Sequence, residues 1–252
     1  MNKTENARHS EAHCMQLDEQ WDMGRLIDLG GDLYNGMWRL PDPMPPFALK
    51  EVDLKEYCRQ RKRVYQSHTQ QVQMCVQAST YVETGAHVHP EMEKIDQVGL
   101  DRSFLSAVVL KIPRHGGQKV TAADLDEATS AADQVIHSGE ALLIATGHNG
   151  FDPKQSSDSP HFSYDAIEWV VEHKPAILGS DMSAWQDPAD DPPFFPMFLA
   201  SGVLLLAPLV NLSQISTPRI KLIVLALKIR NACAAPSRVI AVLPSGIEEL
   251  TT

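Results

Sequence analysis

The sequence contains no two cysteines close enough to act as a pair. Its four, Cys14, Cys58, Cys75 and Cys233, lie far apart and form no CxxC step. Neither a disulfide framework nor a thiolate zinc site is signalled, and the reduced thiols of a cytoplasmic protein are the expectation. Positive charge is also scarce: 22 lysines and arginines stand against 32 aspartates and glutamates, for a formal charge of −10. Such a balance is a poor match for a phosphate backbone, so no nucleic-acid partner is expected. The one basic cluster, RQRKR at 59–63, sits within DLKEYCRQRKRVYQSH and reads as the solvated face of a helix. Long apolar runs are missing as well. The longest, GVLLLAPLVNL at 202–212, is interrupted by Pro208 and falls short of the roughly 20 residues that a bilayer span needs, so no membrane partner is expected. The polar first 20 residues hold no apolar stretch of the kind a signal peptide requires.

What is present suits one sizeable core. With 252 residues and 43% hydrophobic content, the reading is a leader over 1–24 followed by a single domain over 25–252. The segment 29–47, LGGDLYNGMWRLPDPMPPF, mixes Gly, Asp and Pro around Trp38 and Phe47 and reads as a long ordered arm. Trp38 either anchors this arm or walls a ligand pocket. Short β-rich runs at 72–83, 106–112, 141–147, 176–181, 202–207, 221–229 and 238–243 read as strands. Two helices lie between them. TAADLDEATSAADQVI starts at Thr121 with Asp124 three residues on, a variant capping box. SYDAIEWVVEHK places Ile167, Val170 and Val171 on one face behind Ser163 as a cap. The fold class is α/β, a mixed central sheet with flanking helices.

The chemistry concentrates at 83–93, ETGAHVHPEME. On an extended backbone, side chains two residues apart share a face, so His87 and His89 would present two imidazoles to one ion, with Glu83 joining them. Imidazole and carboxylate suit zinc or manganese, and three protein ligands leave a position open for chemistry. Histidines in a solvated turn beside Pro90 are the plain alternative. Further along, SPHFSYDAIEW holds His161 and Asp165 four apart, able to share a face if the helix starts early, while Asp165 also suits a helix N-terminus. His148, in TGHNG at a strand end, suits either a pocket or a structural hydrogen bond.

The 83–93 stretch resembles the H-x-G-T-H-x-D-x-P-x-H signature of the cyclase family, which includes kynurenine formamidases, isatin hydrolases and polyketide cyclases. LDRSFLSAVVLKIPRHGGQKVTAADL, ALLIATGHNG, SPHFSYDAIEWVVEHKPAILGSDMSA and LKIRNACAAPSRVIAVLP are similar to that family's later blocks in order, and DLGGDLYNGMW is similar to its N-terminal arm, so the likeness runs over roughly 26–244. It implies the swivelling β/β/α cyclase-like fold, a homodimer, and an arm aromatic at the pocket, which places Tyr34 and Trp38 as substrate-binding candidates. Only Gly85 and His87 of the signature are kept. Glu83 stands at the first histidine, His89 at the aspartate and Glu93 at the last, catalytic histidine, so each ligand position retains a group able to bind a divalent ion. The resemblance adds a metal-side or catalytic histidine near His161 and an acidic residue at Asp165, and Ala207 and Pro208 replace a Glu-Asn pair. It thus implies metal ligands Glu83, His87, His89 and Asp165, and catalytic residues Glu93 and His161; His148, where the family often has an aromatic, is a further catalytic candidate.

The expected activity is a metal-dependent hydrolase or cyclase acting on the amide, lactam, ester or lactone carbonyl of a small molecule. In it the ion polarises the carbonyl and lowers the pKa of bound water. The alternative is a natural-product cyclase or dehydratase, polyketide-like, in which carboxylates and imidazoles do acid and base work without an ion.

Overall fold

The computed structural model describes residues 24–65, 67–152 and 158–245, so the expected leader lies outside the described residues apart from Gly24. Chain order is β1 (Leu26–Asp28), β2 (Ala48–Glu51), α1 (Lys55–Gln60), β3 (Gln70–Gln73), β4 (Tyr81–Glu83), β5 (Phe104–Lys111), β6 (Lys119–Val120), α2 (Ala122–Ala131), β7 (Ala141–Ala145), β8 (His161–Phe162), α3 (Tyr164–His173), β9 (Ile177–Ser180), α4 (Phe195–Ala200), β10 (Leu204–Ala207), β11 (Arg219–Ala226) and β12 (Ala234–Val242). Eight strands form one mixed sheet in the order β1-β12-β11-β5-β7-β9-β10-β4. A further pairing of β12 with β4, Ala234 to Pro236 against Glu83 to Tyr81, closes the sheet into a ring. Strands β5, β7, β9 and β10 run parallel, and β4, β11 and β12 pair antiparallel.

Alternation along β5 explains the two cores. Leu105, Ala107 and Val109 turn into the ring beside Leu143, Leu206 and Leu222. Val108 and Leu110 face outward, under Leu125 of α2, Ile167 and Val170 of α3, and Phe198 and Leu199 of α4. Strands covered on both faces have no polar side to show, which is why β7 reads as the unbroken apolar run ALLIA with every residue buried. The expected α/β class, with a mixed sheet and flanking helices, is the fold observed.

Local departures from the sequence reading have backbone causes. The run 72–83 is not one strand: Ser79 takes φ +57, and the turn through it separates exposed β3 from β4. The basic helix is only Lys55–Gln60, and Lys62 at φ +49 follows its end; no residue of it is buried, as a solvated face requires. Helix α2 stops at Ala131 rather than continuing to 136, with Asp133 left-handed at φ +50 just beyond. Ser163 occupies the N-cap of α3 without a side-chain capping bond; its hydroxyl stands 3.0 Å from Val120 O.

The capping box of α2 forms as expected: Thr121 N donates to Asp124 Oδ2 at 2.8 Å, and Thr121 Oγ1 accepts from Asp124 N at 3.3 Å. Burial works against the Asp124 charge, but the Arg114 guanidinium and the Thr121 N–H and hydroxyl outweigh it and hold the carboxyl below its ordinary value. Thr121→Ala is expected to cost about 1 kcal/mol in urea unfolding. A carboxyl depressed in the folded state stabilises above its unfolded pKa and loses that contribution as pH falls through the folded one. The stability gap between wild type and Asp124→Asn should therefore be full at neutral pH and close below about pH 4; a gap independent of pH would contradict this account.

Candidate active site

The segment after β4 curls instead of extending. Thr84 ends the strand with its N–H on Cys233 O at 2.9 Å, and its hydroxyl accepts from Ala86 N at 3.3 Å, capping a 3-10 turn over Gly85–His87. His89 N then donates to Gly85 O at 2.9 Å. Gly85 permits this path, because a Cβ there would lie 2.5 Å from Leu199 O and 2.6 Å from Met92 Sδ. In a turn, residues four apart come together and residues two apart diverge. The shared face expected of His87 and His89 therefore does not form. Glu83 and His87 meet, with Oε1 3.0 Å from Nδ1, while His89 turns to α4 and sets Nε2 2.9 Å from Pro196 O.

Around Glu83 lies a small polar network. Its side chain is only 3% exposed, so the carboxylate must find donors within the protein. Gln77 Nε2 donates to the same Oε1 at 2.7 Å. Cys233 Sγ stands 3.9 Å from His87 Nδ1, brought there by the β12 to β4 closure. Tyr81 shares the outward face of β4 with Glu83, as residues two apart on a strand do. The hydrogen bond to Glu83 raises the His87 pKa above its ordinary value, outweighing partial burial. Burial, reinforced by the Glu83 charge, pushes the Cys233 thiol up, so it stays protonated near neutral pH. Burial and Glu83 also push the Tyr81 phenol well up, leaving it a neutral donor. Period-two alternation from Glu83 could have pointed to Tyr81. Nothing in the local sequence points to Gln77, which reaches back from the turn, or to Cys233.

The other candidates lie apart from this network. Glu93 is engaged by Arg102, not by its neighbour Lys94, whose ammonium donates to Pro90 O. Asp165 sits in the first turn of α3 and accepts from Ala122 N at 3.1 Å. Its pKa is lowered by the Ser163 hydroxyl, then by backbone N–H groups that outweigh burial. His161 belongs to β8, and the helix starts only at Tyr164, too late for the expected shared face with Asp165. His148 follows β7 and places Nε2 3.3 Å from Ser183 Oγ; burial lowers its pKa despite Asp181, so it is neutral near pH 7. Its electrostatic neighbours include Asp181 and His161, so these three share one neighbourhood at the C-terminal ends of β7 and β9. Trp38 of the arm is half-buried and packs edge-on against Phe151 at 6.3 Å, beside the loop that carries His148. Tyr34 is 55% exposed.

These positions test the expected ion. Among the described residues no group of three or more His, Cys, Asp and Glu side chains is placed to hold a metal. His89 is turned to a backbone carbonyl, Asp165 caps a helix, and Glu93 is held by a guanidinium. The donor set foreseen for zinc or manganese does not assemble. What does assemble is a carboxylate that orients an imidazole, an arrangement suited to moving a proton.

Comparisons with known proteins place this geometry in context. The family model described as "Cyclase: Putative cyclase" matches residues 27–187. No curated protein matches the sequence at a significant level. Among solved structures, isatin hydrolase A from Labrenzia aggregata bound to benzyl benzoate superposes with a TM-score of 0.73 at 18% identity, covering 86% of this chain and 93% of that one. Isatin hydrolase A from Ralstonia solanacearum gives 0.70 at 18% identity, with 86% and 91% covered. A predicted metal-dependent hydrolase from Bacillus stearothermophilus gives 0.68 at 17% identity, with 86% and 97% covered. At these identities the likeness is one of fold.

The second neighbourhood reads as structural at its base. Asp181 accepts from Thr146 N at 3.0 Å, Thr146 Oγ1 at 2.7 Å and Gly147 N at 2.9 Å, tying the ends of β7 and β9 together. Asp181→Ala would strand buried backbone donors and is expected to lower stability by about 3 kcal/mol in urea unfolding. A loss under about 1 kcal/mol would contradict this role.

Proposed function

Because the chain belongs to the Cyclase family, we propose that it is a hydrolase or cyclase acting at the carbonyl of a small molecule, with His87, oriented by Glu83, as its acid–base group. The single observation that carries this reading is the 3.0 Å contact between Glu83 Oε1 and His87 Nδ1. The carboxylate holds the ring proton on Nδ1, which leaves Nε2 as the basic atom. His87 is 41% exposed, so substrate or water can reach it. As a base, Nε2 takes the proton of a water attacking the carbonyl; as an acid, the imidazolium returns it to the departing atom. Glu83 stabilises the imidazolium that forms between these steps. For ring closure the same atom would take the proton from the carbon next to the carbonyl, so hydrolysis and cyclisation call on the same pair. An amide, lactam, ester or lactone is the substrate class. The metal dependence named for two structural neighbours is not carried over, since two of the foreseen ligands, His89 and Asp165, are engaged elsewhere.

Two tests follow from the pair. On a panel of aryl amides, lactams, esters and lactones, His87→Gln should lose at least about 100-fold in kcat/KM. Neutral imidazole is the active form of the base, and its folded pKa is raised by Glu83. The acid limb of kcat/KM should therefore lie above about pH 6.5, with activity rising as pH increases through it. Glu83→Gln removes the charge that raises the pKa and should move this limb to lower pH. A profile that is flat from pH 5 to 9 in wild type would sink the assignment.

The second test removes any divalent ion. Protein treated with a chelator and desalted should keep its wild-type turnover, and elemental analysis of the active protein should show far less than one divalent ion per chain. Activity that vanishes on chelation and returns with zinc or manganese would restore the metal reading.

A further inference from the structure

We infer that Gln77 is a positioning residue whose side-chain amide fixes which oxygen of Glu83 meets His87, a role that rests on the acid–base reading above. The observations are geometric. Gln77 Nε2 and His87 Nδ1 both address Glu83 Oε1, at 2.7 and 3.0 Å, and none of the described residues donates to Oε2. A carboxylate held by one donor can rotate and exchange its two oxygens. A second donor on the same oxygen, arriving from another part of the chain, opposes that rotation. Gln77 is suited to this because it does not belong to β4. It lies in the turn between β3 and β4 that contains left-handed Ser79, so it approaches Glu83 from outside the strand. The turn is itself tied down: Thr80 Oγ1 donates to Pro208 O and accepts from Gly31 N at 2.9 Å, and Cys75 Sγ stands 3.9 Å from Met44 Sδ of the arm. Gln77, Glu83 and His87 thus form one connected row. The role is selective. An amide at this place adds a donor without adding charge, so it orients the carboxylate without neutralising it, and Glu83 keeps the negative charge that holds the imidazole proton.

The experiment compares Gln77→Met, which keeps length and loses the donor, with Gln77→Lys, which returns a donor. Gln77→Ala serves as a second donor-less variant in case the Met variant does not fold. The first readout needs no substrate: nitrogen-15 spectra of the His87 ring at a pH well above its raised pKa, where the imidazole is neutral. Wild type and Gln77→Lys should show the Nδ1–H form, whereas Gln77→Met or Gln77→Ala should show the ring exchanging between its two neutral forms. The second readout is turnover on the panel above. Gln77→Met should lose about 10-fold in kcat with KM changed less than about 2-fold, and Gln77→Lys, which returns the donor but adds the charge that the amide avoids, should recover only part of the loss. A His87 spectrum unchanged in both donor-less variants would overturn the inference whatever the activity. A changed spectrum in a protein whose wild type turns over none of the panel would uphold the role of Gln77 and remove the acid–base reading instead.

Discussion

Three residues of β12 hold the molecule in its shape. Where Ala234, Ala235 and Pro236 pair with Glu83, Val82 and Tyr81, an open mixed sheet becomes a ring. The closure has two faces. Inside, it seals Val82 and Ala235 into a core with Leu206 and Val239. Outside, it decides what surrounds Glu83, because Thr84 N reaches Cys233 O across the same seam and Cys233 Sγ is thereby set beside His87. A strand interior is an unusual place for proline, which has no N–H to give. At the seam Pro236 still contributes its carbonyl, which accepts from Leu227 N at 3.0 Å, so β11 is held even where the ladder lacks a donor.

From that seam the chain must turn at once, and Gly85 makes the turn possible by lying against Leu199 O. The consequence for chemistry is large. An extended segment would have lined up three ligands, whereas the curled one joins Glu83 to His87 and sends His89 to the Pro196 carbonyl. The same residues, read as a string, suggest a metal cage; folded, they form a carboxylate–imidazole pair with an amide on the same carboxylate oxygen.

Much of the fold was legible in the sequence, because burial on both faces writes continuous apolar runs, as in ALLIA of β7 and LLLA of β10. The break within 72–83 was not. It rests on one left-handed serine, and serine gives no such signal the way glycine does. The site was legible in its two central members and not in its surroundings. Glu83 and His87 were named because their residue types imply chemistry, but the side taken by His89 depends on whether the backbone curls, and that is settled by the fit of Gly85 against α4. Glu93 was placed by its position in a family signature, and Asp165 and His161 by their spacing of four together with the resemblance; here each finds a different surrounding: a guanidinium, a helix terminus and a short parallel pairing. Cys233 carries no local mark because its place exists only across the closed seam, and Gln77 carries none because its contact depends on how the turn before β4 folds back.

The burial of Glu83 couples stability to function at this site. A carboxylate taken out of water loses several kcal/mol of solvation unless charged or hydrogen-bonded partners replace it. Here the replacement comes from Gln77 and His87, which both meet its Oε1. Removing either donor by truncation therefore does two things together: it frees the imidazole and it leaves a buried charge short of partners. Isosteric changes separate these effects. Glu83→Gln removes the charge and keeps the shape, so packing is unchanged and any change in stability or in proton handling reports the electrostatics. The ring thus buries its carboxylate with Gln77 and His87 as its donors, and burial in turn holds those two donors to one oxygen.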